Sequence, residues 1–146
     1  MNRCERANAL YENGYNCSQS VLAVFSDLTG MSEEQCRQIG SAFGRGTGTG
    51  ELCGAVSGAL MVLGMLESGE EDAYLESRKR VMGRSKALQK KFMEKFGAVR
   101  CHDLLKNPSA ASDATPAAQA MGLTKHCPIM IVTAVELVEQ ILAEEA

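Results

Sequence analysis

The sequence predicts an all-α protein, a compact bundle of about five or six helices with cysteines at several helix N-termini. Three observations carry that expectation. Apolar residues recur at helical spacing in successive segments. Aromatics make up only 5% and Trp is absent, while eight Met offer adaptable core filler; a sheet would favour β-branched and aromatic side chains. The connections are short and punctuated by Gly and Pro, as in helical bundles.

The first helix spans 2–10, with Ala7 and Leu10 on one face and Arg3, Glu5 and Arg6 on the other, fading at Asn13-Gly14. Asn16 or Ser18 can cap a second helix through Val21, Leu22, Val24, Phe25 and Leu28. That puts Cys17 in or just before its first turn, and Gly30 ends it. Ser32 and Gln35 make a capping box for a helix over 33–39, whose Cys36 and Ile39 share one face and read as core.

The stretch 41–64, SAFGRGTGTGELCGAVSGALMVLG, is the one around which the chain is organised. Gly44, Gly46, Gly48 and Gly50 free the backbone for positive φ and close approach. Glu51 suits the positive end of a helix dipole, so an apolar helix follows with Cys53 near its start, ending near Gly69. Residues 70–96 form a long periodic segment with Tyr74, Leu75, Val81, Met82, Leu88, Phe92 and Phe96 as its apolar stripe. Its many Lys and Arg, diluted by Glu76 and Glu94, read as a solvated face. Gly97 ends this helix. A short helical turn over 99–105 holds Cys101, and 107–116 is an exposed polar loop. Pro128 at the first helical position of a final helix over 129–144 puts Cys127 at the cap.

At 146 residues, the chain is expected to be a single domain over 1–146. A formal net charge of -3 argues against a dedicated nucleic-acid partner. The N-terminus shows no signal-peptide pattern, and neither apolar run, 55–66 or 128–135, approaches the roughly 20 residues a membrane span needs. A cytoplasmic protein without membrane insertion is therefore expected. In a reducing compartment, six Cys point to metal binding or redox chemistry before a disulfide framework.

Cys17, Cys53, Cys101 and Cys127 all fall at or near predicted helix starts. Unpaired N–H groups and partial positive charge there stabilise an anion, which for cysteine is the thiolate, the nucleophile and metal ligand. No C-x-x-C is present, so a shared site must be assembled by the fold from distant parts of the chain. His102 and His126 adjoin two of these cysteines, and each could ligate a metal or add positive charge when protonated; because neighbours on a helix face different ways, both read as residues standing behind the ligands or on the surface. GRGTGTG lacks the Lys-Ser/Thr of a P-loop, and no G-x-S-x-G or H-E-x-x-H occurs. The glycine loop, Gly44, Gly46, Gly48, Gly50 and then Gly54, reads instead as backbone brought close to a sulfur site. Arg45 could add charge there, but reads first as a surface residue.

These elements resemble the C-GCAxxG-C-C family of putative redox-active proteins over nearly the whole chain. The resemblance is carried by Asn16-Cys17-Ser18-Gln19-Ser20-Val21-Leu22, Phe43-Gly44, Cys53-Gly54-Ala55-Val56-Ser57-Gly58-Ala59-Leu60, Cys101 with Leu104-Leu105, and Cys127. The family name places Gly before Cys, whereas here Cys53 precedes Gly54. The resemblance implies a compact helical domain whose four defining cysteines match Cys17, Cys53, Cys101 and Cys127. Its similarity to the iron–sulfur portion of split-Soret cytochromes implies a cluster held by those four thiolates. Cys4 and Cys36 lie outside the pattern and are expected to be structural or incidental.

Three functions follow as expectations. The first is a [2Fe–2S] or [4Fe–4S] cluster on Cys17, Cys53, Cys101 and Cys127 for electron transfer or redox sensing, as an oxidoreductase or its electron-transfer component. The second is thiol–disulfide exchange by the same cysteines without a metal. The third is a zinc-stapled structural or interaction domain. Each redox reading requires a partner protein, and the helix after Cys53, rich in Gly, Ala and Met, could serve a homodimer interface.

Overall fold

The structure, a computed structural model, describes residues 1–67, 73–106 and 114–144. It is all-α. The elements are α1 (Arg3–Glu12), α2 (Cys17–Ala23), α3 (Ser26–Thr29), α4 (Glu33–Gly40), a π turn (Gly46–Gly50), α5 (Gly54–Glu67), α6 (Tyr74–Phe96), α7 (Cys101–Leu105), α8 (Pro116–Ala120) and α9 (His126–Glu144). Six of the described α-helices have seven or more residues, and the described residues contain no strand.

The helix starts follow from local chemistry. Asn2 with Glu5, Asn16 with Gln19, and Ser32 with Gln35 form complete capping boxes at α1, α2 and α4. Gly30 and Gly97 close α3 and α6 in the left-handed conformation. Helix α9 forms the centre of the core. Pro128 to Val135 are buried without a break, followed by Leu137, Val138 and Ile141, and α1, α2, α5, α6 and α8 pack around it. A helix apolar on nearly every face must be enclosed in this way. It is the one described helix long and apolar enough to cross a membrane by length and composition, and most of it is buried inside the fold.

The most extensive helix contact joins α2 to α5, and two glycines one turn apart on α5 allow it. A Cβ on Gly58 would lie 2.7 Å from the Ser18 carbonyl oxygen, and one on Gly54 would lie 2.7 Å from that of Phe43. The start of α2 therefore lies directly on the backbone of α5.

Several expectations need correction. The final helix begins at His126, so Pro128 is its third residue and not its first; any first-turn position suits Pro, because those N–H groups lack helical acceptors. Pro116 opens α8 and Ala114 is buried, so the end of the expected 107–116 loop is structured; 107–113 lie outside the described residues, as do the expected boundaries at Gly69 and Glu70. Tyr74, Leu75 and Met82 are exposed and do not belong to the buried stripe of α6, which runs through Ser77, Arg84, Leu88, Phe92 and Phe96. Within that stripe Arg84 makes an ion pair of 2.9 Å with Glu67 of α5, a polar contact among the apolar ones. Ile39 is half exposed although Cys36 is fully buried, because α4 packs chiefly on α2.

Candidate functional site: a cavity with four cysteines

Cys17 is the first residue of α2, Cys53 immediately precedes α5, Cys101 is the first residue of α7 and Cys127 the second of α9. All four line one cavity of about 430 Å³. Tyr11, Asn16, Arg45, Gly54, Leu105, His126 and Met130 also line it, and among the described residues its wall contains no carboxylate.

Each cysteine is placed by identifiable contacts. The Asn16 side chain accepts from Gln19 N at 2.8 Å, and its Nδ2 donates to the carbonyls of Gly40 at 3.1 Å and Ser41 at 3.3 Å. One residue thus caps α2 beside Cys17 and ties that start to the end of α4. Cys53 and Cys101 are joined by a single antiparallel bridge between Leu52 and Arg100. Cys53 N donates to Val99 O at 2.8 Å and Cys101 N to Glu51 O at 2.7 Å. Arg100 closes the outside of this bridge with two contacts to the Glu51 carboxylate, at 3.2 and 3.3 Å. Cys127 lies with its Sγ 3.5 Å from Nδ1 of His126.

Cys127 has its thiol pKa held well below the ordinary value of 9.0, first by the Cys17 thiol, which donates to its sulfur, then by His126, with Tyr11 adding a further hydrogen bond. Cys17 is shifted strongly upward, first by its pairing with Cys127 and then by partial burial. Burial pushes Cys53 up to about 11, opposed by the N–H groups of Val56 and Ala55 in the first turn of α5. Burial likewise raises Cys101, with charge on Cys127 adding to the effect and Arg45 opposing it. The arrangement is one of mutually interacting thiols with a single preferred thiolate.

All six cysteines are free thiols. Among the described residues, no three His, Cys, Asp or Glu side chains are grouped as they would be around one metal ion. Cys4 and Cys36 stand apart from the cavity: Cys4 Sγ is 3.9 Å from Val132 O, and Cys36 Sγ is 3.8 Å from Leu22 O, both in the core. Of the five glycines read as lining the site, Gly54 does so. Gly44 packs on Asn16, Gly46 on the Glu51 backbone and Gly50 on His102, while Gly48 faces open space. These glycines shape the loop itself, and the N–H groups directed at a sulfur come from Ala55 and Val56.

Sequence reasoning missed Tyr11, whose helix was expected to end at Leu10; its contact comes from a separate helix, and no pattern in the sequence signals it. His126 lies behind Cys127 in the cavity wall. Arg45, read as a surface residue, is exposed yet reaches the cavity wall.

Residues 15–141, a span that includes all four cavity cysteines, match the family model described as "Putative redox-active protein (C_GCAxxG_C_C)". No curated protein and no solved structure matches the chain. The chain belongs to the C_GCAxxG_C_C family of putative redox-active proteins.

Proposed function

We propose that Cys17, Cys53, Cys101 and Cys127 hold an iron–sulfur cluster through which the protein transfers electrons or senses redox state. The observation that carries this reading is the convergence of four thiols, from four separate helix starts, on one cavity in which no described residue contributes a carboxylate. The donor set fits the group, since four thiolates are the usual complement of a [2Fe–2S] or [4Fe–4S] cluster. When bound, the cluster would supply a one-electron couple.

The chain's own residues then have definite tasks. The N–H groups of Ala55 and Val56 hydrogen-bond the Cys53 sulfur, and the Tyr11 hydroxyl hydrogen-bonds that of Cys127. Such bonds to sulfur stabilise the more negative state and raise a reduction potential. Cys53 and Cys101 are almost wholly buried, which limits access of water. Cys17 must give up the proton it shares toward Cys127 before it can ligate.

A second reading rests on the opposed shifts of two thiols lining the same cavity, Cys17 upward and Cys127 downward. As a thiol–disulfide oxidoreductase, the Cys127 thiolate would attack a partner disulfide, forming a mixed disulfide and expelling one partner thiolate. Cys17, after losing its proton, would attack the Cys127 sulfur, expel the second thiolate and leave a Cys17–Cys127 disulfide. Four single Ser variants separate the two. Under the cluster reading each loses iron and sulfide after anaerobic reconstitution. Equal cluster content in Cys53→Ser and the parent would sink it, and sensitivity confined to Cys17 and Cys127 in a metal-free disulfide-reductase assay would select the second.

A further inference from the structure

We propose that Arg45 makes the four-cysteine cavity selective for anions, so that its small reactants are negatively charged, such as carboxylate-bearing thiols and disulfides. This deepens the reading of the cavity as a redox site.

Among the described residues, Arg45 is the only Arg or Lys in the cavity wall. Its backbone is left-handed, at φ 53° and ψ 40°, a conformation that is costly for any residue with a Cβ and nearly free for Gly. Glycine flanks it on both sides, yet this position carries the longest charged side chain. The surroundings fix that conformation. A Cβ on Gly44 would meet the Asn16 side chain at 2.9 Å, and one on Gly46 would meet the Glu51 backbone at 2.4 Å. Backbone strain persists only where neighbours over-determine it, and it is concentrated at functional sites.

The charge is also unspent. Arg3, Arg84 and Arg100 pair with Asp27, Glu67 and Glu51, whereas among the described residues no carboxylate pairs with Arg45. Arg45 itself lines the cavity, together with Cys17, Cys53, Cys101 and Cys127. A fixed cation at the mouth of a largely apolar cleft raises the local concentration of anions.

The test uses the metal-free full chain and two alkylating probes, anionic iodoacetate and neutral iodoacetamide. In both reactions a cysteine thiolate displaces iodide, so the ratio of the two rates cancels the fraction of thiolate. A merely structural role would not move that ratio. At low salt, Arg45→Gln is expected to lower the iodoacetate-to-iodoacetamide ratio at the cavity cysteines by about tenfold. The difference should shrink in 1 M salt, and Arg45→Lys should restore most of it. If Arg45→Gln fails to fold, Arg45→Asn removes the same charge with a residue that tolerates left-handed backbone. An unchanged ratio in the folded neutral variant overturns the proposal. Failure of the parent chain to bind iron would remove the cluster reading and leave this ratio as decisive as before.

Discussion

A Cβ built on Gly54 would stand 3.1 Å from the Cβ of Cys17 and 2.7 Å from the Phe43 carbonyl oxygen. The first residue of α5 must therefore lack a side chain if α2 is to deliver Cys17 to the wall of the cavity beside Cys53. The most specific part of the family's motif is thus explained by packing as well as by sulfur chemistry.

Gly54→Ala should destabilise the fold by about 1–3 kcal/mol through overpacking against backbone, and it should also reduce iron retention by separating Cys17 from Cys53. Gly64→Ala is the control of opposite sign. It lies in the same helix with nothing within 4 Å of its Cβ position, so it should stabilise by roughly 0.5–1 kcal/mol. Urea melts of the two variants beside the parent measure both.

Asn16→Ala should cost about 1–2 kcal/mol through loss of the cap on α2. Asn16→Asp keeps an oxygen for the Gln19 N–H but loses the donor to Gly40 and Ser41. It should therefore retain helix stability better than Ala, while still loosening α4 from the start of α2. Thermal melts together with hydrogen exchange at the Gln19 and Ser41 amides distinguish the two effects.

Cys4 and Cys36 should be dispensable for the site. Cys4→Ala and Cys36→Ala are expected to retain the parent's iron and sulfide per chain, at a modest cost in stability. Iron loss in either, in a folded chain, would place the site elsewhere.

The buried Cys4 thiol also predicts a pH dependence. Burial first, then the nearby Glu136, Glu139 and Glu5, push it from 9.0 up to about 12. Between those values the unfolded chain has released this proton and the folded chain still holds it. Stability contributed by this group is therefore constant below pH 9, falls as pH rises toward 12, and levels off above. Denaturation of the parent and Cys4→Ala across pH 8–10.5 should show a shallower decline in the variant.

The helical class, the caps at Asn16 and Ser32, and the four helix starts bearing cysteines were readable because each rests on local chemistry: periodicity, capping and glycine punctuation. What the sequence does not display is how those starts meet. The Leu52–Arg100 bridge that joins Cys53 to Cys101 is a single residue pair between segments almost fifty residues apart, too short for any strand pattern. Tyr11 reaches Cys127 because α1 packs on α9, a tertiary contact without a local signal. Arg84 in the buried stripe of α6 is a related case: it pairs with Glu67 of α5, and such a pair is invisible to a count of apolar residues.

The most direct test of the central claim is anaerobic purification of the full chain, cluster reconstitution, and measurement of the visible spectrum with iron and acid-labile sulfide. Four cysteines acting as cluster ligands predict a brown protein with stoichiometric iron and sulfide, lost in every one of Cys17→Ser, Cys53→Ser, Cys101→Ser and Cys127→Ser. A colourless protein that takes up neither iron nor sulfide on reconstitution, and whose thiols oxidise reversibly, would contradict it.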